Sequence, residues 1–275
     1  MYMAAIGCQG HTMRHRPVES GFSLQIGSAD VIATRTGIAV VNNFRNRDMV
    51  LGGQGAPLVP AFHADVFGIE GERRVIVNIG GMANLSLLDG KKVSGGFDTG
   101  PGNILLDVWN AKYQQQHFDR NGDWAAQGSV IASLLDDLLA DPYFHFSGPK
   151  STGREYFNLA WLQRHLAGDE LPVDIQATLA ELTATTLAND INAFCPDSIY
   201  ICGGGAHNGY LMQRLQALVG STPIAPTDAL GIDADWVEAC AFAWLARARL
   251  KGLCGNAPSV TGASKPAVLG ALYLP

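Results

Sequence analysis

The chain has 275 residues, of which 47% are hydrophobic, and its formal net charge is −6. This length and composition predict a folded globular protein with a sizeable core. The acidic balance, without any run of lysine or arginine, argues against a nucleic-acid partner held through phosphate contacts. The five cysteines lack C-x-x-C spacing, which argues against a zinc site or a disulfide framework. No stretch approaches the roughly 20 apolar residues that span a bilayer, so we expect a cytoplasmic protein without a membrane partner.

The first part of the chain predicts an incomplete α/β unit, because its strand–helix–strand order is typical of a parallel sheet. The predicted elements are strand Met3–Cys8, strand Phe22–Ile26, helix Ser28–Thr36, strand Ile38–Asn42 and helix Pro57–Phe67. A chain that opens directly on a buried strand and a functional-looking turn suggests that part of this unit is missing. We therefore expect a truncated first lobe over residues 1–69.

A fuller α/β unit follows, and its Asp89-Gly90 dipeptide predicts a hairpin turn. The predicted elements are strands Val75–Asn78, Leu85–Leu88 and Val93–Phe97; helices Asn103–Tyr113, Asp123–Ala140, Glu155–His165 and Ile175–Phe194; strand Ile199–Cys202; and helices Gly209–Val219 and Asp233–Leu250. The tail over 255–275 is irregular. We assign residues 70–275 to a second lobe, with the C-terminal tail able to return to the cleft.

Three glycine-rich segments follow predicted strands and are candidate phosphate or nucleotide contacts. Backbone N–H groups in such turns can cradle a phosphate, and a helix start attracts anions. Plain structural interpretations compete with this one: a β-hairpin turn for the first segment and a tight helix–strand crossing for the third. The candidate residues are Gly80 and Gly81 in the first, Gly100, Gly102 and Asn103 in the second, and Gly203, Gly204, Gly205 and Asn208 in the third.

Asp98 lies just past a predicted strand in the second of these segments and is the candidate catalytic residue. An aspartate at this place can act as a general base, polarise a nucleophile or hold Mg²⁺. A capping aspartate in a glycine-rich loop is the structural alternative. Capping explains the aspartate and the neighbouring asparagine, but not so many conformationally special residues in nine positions, so the pattern favours a functional role.

Four charged or polar residues are candidate substrate contacts. Glu238 lies on a helix rich in small and apolar residues, where an unpaired carboxylate is costly, so we expect it to face a cleft. Arginines follow two predicted strands and suit a carboxylate or phosphate. Arg14 and Arg45 are taken as candidates, although Arg16 and Arg47 fit equally well. His63 is included too, although a helical histidine is more often a core or surface residue.

Together these motifs resemble those of the anhydro-N-acetylmuramic acid kinase family, in the family's order and over essentially the whole chain. The matching segments are GHTMRHRP, LQIG, GGQGAPLVPAFH, NIGGMANL, GFDTGPGN, PKSTGREYFN, CGGGAHN and WVEACAFAW. The resemblance implies an α/β fold with two actin-like, ribonuclease H-like lobes around a cleft, as in hexokinase, actin and the chaperone ATPases.

The resemblance also implies an activity. The family takes ATP with Mg²⁺, opens 1,6-anhydro-N-acetylmuramic acid with water and phosphorylates the freed 6-oxygen, as part of peptidoglycan recycling. Asp98 matches the family's catalytic base, Glu238 matches a carboxylate that holds the sugar, and Gly203–Gly205 would lie near the nucleoside. No residue is assigned as a metal ligand. The family also suggests a homodimer.

One departure from the family concerns its Gly-Thr-Ser-x-Asp-Gly phosphate turn, which has no counterpart in these residues. We therefore expect weak or no kinase activity, because losing backbone donors at a site of developing charge is costly. Two alternatives stay open. One is a non-catalytic remnant that binds nucleotide or sugar, and the other is a kinase for a different sugar or carboxylate.

Overall fold

The computed structural model describes residues 3–17, 21–146 and 150–275, so Pro149, the first residue of the PKSTGREYFN segment, lies outside it. The described residues form ten strands: β1 (Ile6–Gly7), β2 (His11–Arg16), β3 (Phe22–Ile26), β4 (Val40–Asn42), β5 (Arg73–Ile79), β6 (Met82–Asp89), β7 (Lys92–Pro101), β8 (Ser198–Cys202), β9 (Ile224–Pro226) and β10 (Ala271–Tyr273).

Helices connect these strands, and most are short. Those in the described part of the chain are α1 (Ala29–Thr36), α2 (Arg45–Val50), α3 (Val59–Phe67), α4 (Ile104–Gln114), α5 (Ala132–Leu139), α6 (Pro142–His145), α7 (Leu159–Gln163), α8 (Pro172–Phe194), α9 (Gly209–Val219), α10 (Val237–Lys251) and α11 (Pro258–Thr261). The mixed α/β class expected from the sequence is confirmed.

The chain divides into two compact units that are not continuous in sequence. Unit 1 contains Met1–Glu70, Leu88–Gly96 and Trp236–Pro275, and unit 2 contains Gly71–Leu87 and Phe97–Asp235. The C-terminal helices and the tip of the β6–β7 hairpin thus group with the first unit. The assignment of residues 1–69 to a first lobe and of residues 70–275 to a second lobe stays a prediction.

Unit 1 is built on a three-stranded sheet in the order β1-β4-β10. β1 runs parallel to β4 and β10 runs antiparallel to it. The backbone of β1 lies directly on α10, where a side chain at Gly7 would collide with the Phe242 carbonyl. The core beneath this sheet is apolar and includes Val41, Phe44, Leu245 and Leu269.

The sequence-based expectation for β3 is wrong. β3 does not join β4 in a parallel sheet but pairs antiparallel with β2, a segment for which no strand was predicted. The polar side chains of the ribbon explain this pairing, because Gln25 donates to Thr12 and His15 contacts Ser23 across the two strands. The region predicted as one strand over Met3–Cys8 is a strand only at β1.

Unit 2 contains most of a five-stranded sheet in the order β7-β6-β5-β8-β9, in which β6 and β7 are neighbours, in agreement with the predicted Asp89-Gly90 hairpin turn. β5, β8 and β9 are parallel neighbours. The long helix α8 packs its buried face against this sheet, and the core they share includes Val77, Leu85, Leu187 and Ile201. The carboxyl ends of β5 and β8 are followed by Gly80 and Gly203 respectively.

Two predicted helices in unit 2 are much shorter than expected. The stretch 123–140 is α-helical only in α5 and contains one turn of 3-10 helix at Ala125–Gln127. Asp119 accepts hydrogen bonds from the N–H groups of Trp124 and Ala125 and so holds this part of the chain in a tight turn. The stretch 155–165 is helical only in α7, because the Asn158 side chain caps the Trp161 N–H and fixes the helix start.

Candidate active site

Asp98 lies on β7 in unit 2 and is held by one loop and one tyrosine. Its N–H donates to the carbonyl of Lys150 at 3.0 Å, and its carbonyl accepts from the Tyr143 hydroxyl at 2.7 Å. The carboxylate oxygen Oδ2 accepts from the Ser151 hydroxyl at 3.1 Å and from the Thr152 N–H at 3.0 Å. The other oxygen, Oδ1, has no hydrogen-bond partner among the described residues.

The surroundings of Asp98 raise the pKa of its carboxyl group. Burial is the main cause, and the hydrogen bonds from Thr152 and Ser151 oppose it by stabilising the charged form. A carboxylate with a raised pKa binds a proton more strongly, which improves it as a general base. The arrangement therefore suits proton transfer through Oδ1.

The loop beside Asp98 is anchored by Lys150. Its ammonium lies 5.1 Å from the ring centroid of Tyr143 and 5.7 Å from that of Phe97, within the range of cation–π attraction. Burial raises the pKa of Asp190 on α8, while the Lys150 ammonium lowers it. Burial, with the charges of Asp98 and Asp190, raises the pKa of Tyr143, so its hydroxyl keeps the proton that it donates.

The turn at Gly80 and Gly81 receives the start of α4. The N–H groups of Gly102 and Ile104 donate to the Gly81 carbonyl at 2.9 and 3.1 Å, and the N–H of Asn103 donates to the Gly80 carbonyl at 2.8 Å. These N–H groups are already engaged, which corrects the expectation of an open helix start. A Cβ added at Gly81, in contrast, would meet no atom within 4 Å. Space for a ligand therefore lies in front of Gly81.

The three glycines after β8, Gly203, Gly204 and Gly205, are constrained to different degrees by packing and backbone conformation. Gly203 has a φ of 80°, and a side chain there would collide with Asn78 Oδ1, while one at Gly205 would collide with the Ile79 side chain. Packing against β5 therefore accounts for both. A Cβ added at Gly204 would meet only Asn103 Nδ2, at 4.0 Å. Gly204 is thus the position of this loop that a ligand can approach.

The remaining predicted nucleotide contacts have structural roles of their own. A side chain at Gly100 would contact the ring of Phe144, and one at Gly102 would contact the carbonyl of Gly80. Asn208 is the N-cap of α9, where its Oδ1 accepts from the Leu211 N–H at 3.0 Å. These packing and capping roles do not depend on a nucleotide, so the assignment of Gly100, Gly102 and Asn208 to one stays a prediction.

Arg45 in unit 1 is surrounded by oxygen atoms. Its Nη1 donates to the Gly55 carbonyl at 2.8 Å. With the Gln9 amide oriented so that its oxygen faces the guanidinium, as hydrogen bonding requires, the Arg45 Nε and Nη2 donate to that oxygen at 2.8 and 3.2 Å. Burial lowers the pKa of Arg45, and the negative charge of Glu238 opposes this. Burial and the charge of Arg45 both lower the pKa of His15. Of the predicted substrate contacts, the structure brings together Arg45 and Glu238.

Glu238 lies in the first turn of α10 and is exposed. Its small neighbours Ala239 and Ala243 are also exposed, whereas Ala241 is buried. The reason is helical periodicity, since the buried face of α10 runs through Ala241 and Leu245 and leaves Glu238 off it. An exposed carboxylate is free to bind a polar ligand.

The other two predicted substrate contacts do not join this cluster. Arg14 is exposed on β2, opposite Leu24. His63 on α3 is 2% exposed, with its ring centroid 5.7 Å from those of Phe62 and Phe67. Burial lowers the pKa of His63 to about 3, so the ring is neutral at physiological pH. The substrate roles of Arg14 and His63 stay predictions.

Asp48 on α2 is a fully buried aspartate, whereas Asp98 is half-buried, and the sequence predicted no site role for Asp48. It is 0% exposed, and its Oδ1 accepts from Asn256 Nδ2 at 2.7 Å and from the Thr261 hydroxyl at 2.8 Å. Its Oδ2 accepts from the Gly55 N–H at 2.8 Å. Because Arg45 holds the carbonyl of the same glycine, Gly55 is fixed from both sides.

Sequence reasoning missed the groups that orient Asp98. Ser151 is 53 positions away from it, and Tyr143 is 45 positions away. The segment PKSTGREYFN was recognised only among the motifs that resemble the family, and no spacing rule links it to Asp98. Gln9 and His15 were also missed around Arg45, although the position of Gln9 just after a predicted strand was an available signal.

The described residues contain neither a membrane-spanning helix nor a cluster of metal-binding side chains. No helix in that part of the chain is both long and apolar enough to cross a bilayer. In the same residues, His, Cys, Asp and Glu side chains form no group of three or more that could hold a metal ion.

Comparison with known proteins gives a consistent result. A family model described as anhydro-N-acetylmuramic acid kinase matches residues 2–275. A protein of that name from Nitrosospira multiformis is 50% identical over 274 residues, covering 98% of this chain and 75% of the relative. Another from Nitrosomonas europaea is 50% identical over 272 residues, with the same coverage of both chains.

Solved structures give weaker likenesses. The activator of 2-hydroxyisocaproyl-CoA dehydratase from Clostridium difficile, with bound ADPNP, is 17% identical, with a TM-score of 0.45 over 70% of this chain and 68% of its own. Xylulose kinase from Rhodospirillum rubrum is 14% identical, with a TM-score of 0.44 over 68% of this chain and 39% of its own.

Proposed function

This chain belongs to the anhydro-N-acetylmuramic acid kinase family of sugar kinases, and we propose that it uses ATP to convert 1,6-anhydro-N-acetylmuramic acid to N-acetylmuramate 6-phosphate. In this proposal the enzyme acts in the cytoplasm during peptidoglycan recycling. The observation that carries the proposal is the Asp98 carboxylate. Two donors fix its Oδ2, and its Oδ1 is left to accept a proton.

The chemistry requires one base and a positioned phosphoryl donor. Oδ1 of Asp98 takes a proton from a water molecule as the water oxygen bonds to the anomeric carbon. The bond from that carbon to the 6-oxygen breaks, and the 6-oxygen takes the γ-phosphoryl group of ATP, releasing ADP. The raised pKa of Asp98 strengthens it as the acceptor of this proton. Phosphoryl transfer itself relies on positioning and charge stabilisation more than on covalent groups.

The nucleotide side of the proposal rests on two glycines that packing does not explain. Gly81 and Gly204 have no close neighbour where a side chain would lie, so a phosphate or ribose can approach their backbone. At Gly100, Gly102, Gly203 and Gly205 the packing or the φ angle excludes a side chain, whereas a side chain at Gly80 would make only ordinary contacts. We therefore assign the closest nucleotide approach to Gly81 and Gly204, with Gly80, Gly203 and Gly205 shaping the turns.

Magnesium fits this chain only as an ion that accompanies the nucleotide. The described residues offer no three-ligand cluster, and Mg²⁺ in kinases is commonly bound through phosphates, waters and one or two carboxylates. When bound, the ion would offset the negative charge of the phosphates. We assign no residue of this chain as its ligand.

The sugar side of the proposal rests on Arg45 and Glu238. Arg45 has five N–H donors, and three are used by Gly55 and Gln9, so two remain for the substrate's lactyl carboxylate. Glu238 is exposed beside it and can accept hydrogen bonds from sugar hydroxyl or amide groups. This pairing favours Arg45 over Arg14 as the substrate arginine.

The expected rate is low, because these 275 residues contain no Gly-Thr-Ser-x-Asp-Gly turn. The alternative function is a remnant that binds nucleotide or sugar without turnover, and binding of ATP or sugar without ADP release would favour it. We also infer a homodimer from the family resemblance. Light scattering after size-exclusion chromatography tests this, and a mass near 29.2 kDa would contradict it.

The test of the proposed function is ADP release by the purified chain with Mg-ATP and 1,6-anhydro-N-acetylmuramic acid. The Nitrosospira multiformis relative serves as the positive control. We expect slow release that depends on this sugar and exceeds that with 1,6-anhydro-N-acetylglucosamine, which lacks the lactyl carboxylate. Sugar-independent release, or none from folded protein that still binds ATP in a calorimetric titration, would favour the binding remnant.

A further inference from the structure

The two oxygens of the Asp98 carboxylate are not equivalent. Both hydrogen bonds to the side chain, from the Ser151 hydroxyl and the Thr152 N–H, reach the same oxygen, Oδ2. The backbone of Asp98 is fixed on both sides by Lys150 and Tyr143. With the main chain and one oxygen fixed, rotation of the carboxylate would break two hydrogen bonds. Oδ1 is therefore held in one direction.

The loop that supplies these donors is itself anchored. The Lys150 ammonium lies over the rings of Phe97 and Tyr143. On the other side of Ser151 and Thr152, the carbonyl of Gly153 accepts from the N–H of Phe157, a residue that is fully buried in the unit 2 core. Ser151 and Thr152 thus lie between two anchored residues, Lys150 and Gly153, although the Ser151 side chain is exposed.

We propose that Ser151 is a positioning residue, whose hydroxyl acts with the Thr152 N–H to fix Oδ2 of Asp98 and so make Oδ1 the atom that accepts the proton. This inference relies on the proposed function only for the identity of the reaction in which Asp98 accepts a proton. The geometric part concerns Asp98 and its loop and can be tested without turnover.

A hydroxyl that donates to a carboxylate stabilises the charged form, so its loss raises the pKa of the carboxyl group. The other titratable groups near this loop include Tyr143, whose pKa is raised, the oppositely charged Lys150 and Asp190, and Glu155, whose carboxylate lies against Gly153. Ser151→Ala changes none of these residues. A change in the titration of Asp98 in that variant is therefore attributable to the lost hydroxyl.

The experiment compares wild type with Ser151→Ala, Ser151→Thr and Ser259→Ala. The control is matched, because the exposed Ser259 hydroxyl also donates one 3.1 Å hydrogen bond, in its case to the Val93 carbonyl in unit 1. The first readout is the ¹³C carboxyl titration of Asp98, assigned from its absence in Asp98→Asn. The second is the pH dependence of kcat/KM.

We expect Ser151→Ala to move the Asp98 titration, and the acid limb of the rate profile, upward by roughly half to one pH unit. We also expect kcat to fall about tenfold while the KM for ATP stays unchanged. Ser151→Thr keeps a hydroxyl group, so its Asp98 titration and its kcat should lie close to those of wild type. Ser259→Ala should leave both quantities at wild-type values.

Superimposable Asp98 titrations in wild type and Ser151→Ala would overturn the proposal, and so would an equal shift in Ser259→Ala. Failure of the proposed function looks different. In that case the Asp98 titration still shifts in Ser151→Ala, but no variant releases ADP in response to the sugar. Because Ser151 is exposed, its replacement by alanine should leave the fold intact, which far-ultraviolet circular dichroism checks.

Discussion

Asp48 in unit 1 and Asp98 in unit 2 are two aspartates in glycine-rich surroundings whose carboxylates are satisfied to different degrees. Asp48 is fully buried, and both its oxygens accept hydrogen bonds, from Gly55, Asn256 and Thr261. Asp98 accepts only at Oδ2. A carboxylate with every oxygen paired joins segments of structure, whereas one with a free oxygen and a raised pKa can exchange a proton.

The largest expected effect is on turnover in Asp98→Asn. An amide cannot accept the proton of the attacking water, so we expect kcat to fall by about a thousandfold or more, within the range for loss of a general base. The measurement is sugar-dependent ADP release. Binding of the sugar, followed by calorimetry, should be largely retained. Turnover within tenfold of wild type would contradict the assignment of Asp98 as the base.

The same variant should not lose stability. Because burial raises the pKa of Asp98 in the folded state, the folded chain binds more protons than the unfolded chain between the two pKa values. Stability from this group therefore falls as pH rises through the folded-state pKa. At pH 7, Asp98→Asn should unfold in urea at the same concentration as wild type or a slightly higher one.

Asp48→Asn should show the opposite behaviour. Oδ1 accepts from two donors and Oδ2 from one, so an amide NH₂ in either orientation faces a donor. We expect the free energy of unfolding to fall by about 3 kcal/mol, since a buried network loses a charged acceptor. Urea unfolding measures this, with the exposed Asp169→Asn as the control. Turnover per folded molecule should change little. A loss of turnover as large as in Asp98→Asn would contradict the distinction between a structural Asp48 and a catalytic Asp98.

A smaller effect is expected at Glu238, the exposed partner of Arg45. In Glu238→Gln, the loss of charge weakens hydrogen bonds to the sugar and the charge balance around Arg45. We expect the KM for the sugar to rise about tenfold while kcat changes by less than about threefold. Steady-state kinetics at saturating ATP measures this, with the exposed Glu70→Gln as control. Unchanged KM values would remove Glu238 from the substrate site.

The smallest effects separate the glycines of the loop after β8. Gly203→Ala should destabilise the chain by about 2 kcal/mol, because its φ of 80° and its contact with Asn78 both exclude a side chain. Gly204→Ala should leave the unfolding free energy within about 0.5 kcal/mol and raise the KM for ATP about threefold, because a methyl group would occupy the ligand's space. Equal losses of unfolding free energy in Gly203→Ala and Gly204→Ala would contradict the assignment of Gly203 to packing and of Gly204 to ligand approach.

Much of the fold could be predicted because several elements carry strong local signals. The β5–β7 meander has apolar strands and an Asp89-Gly90 turn, and α8, α9 and α10 have long helical patterns. The errors arose where tertiary contacts decide the structure. β2 is a strand because it pairs with β3, and α5 begins late because Asp119 holds the preceding turn.

The candidate site could be predicted only where its residues lie close together in sequence. Asp98 and the glycines around it form one continuous motif, and Arg45 follows a predicted strand. The donors that distinguish the two oxygens of Asp98 come from a loop 53 positions away. Sequence patterns also could not show that Gly203 and Gly205 pack against β5 while Gly204 does not, because that difference depends on the close approach of two strands.

The most direct test of the central claim, that Asp98 activates a water molecule in a sugar kinase, is the reaction in H₂¹⁸O with Mg-ATP and 1,6-anhydro-N-acetylmuramic acid. Mass spectrometry then locates the label in the product. We predict N-acetylmuramate 6-phosphate with one ¹⁸O at the anomeric position from wild type, and none of this product above background from Asp98→Asn. A phosphorylated product that retains the anhydro bridge, or labelled product at wild-type levels from Asp98→Asn, would contradict the account.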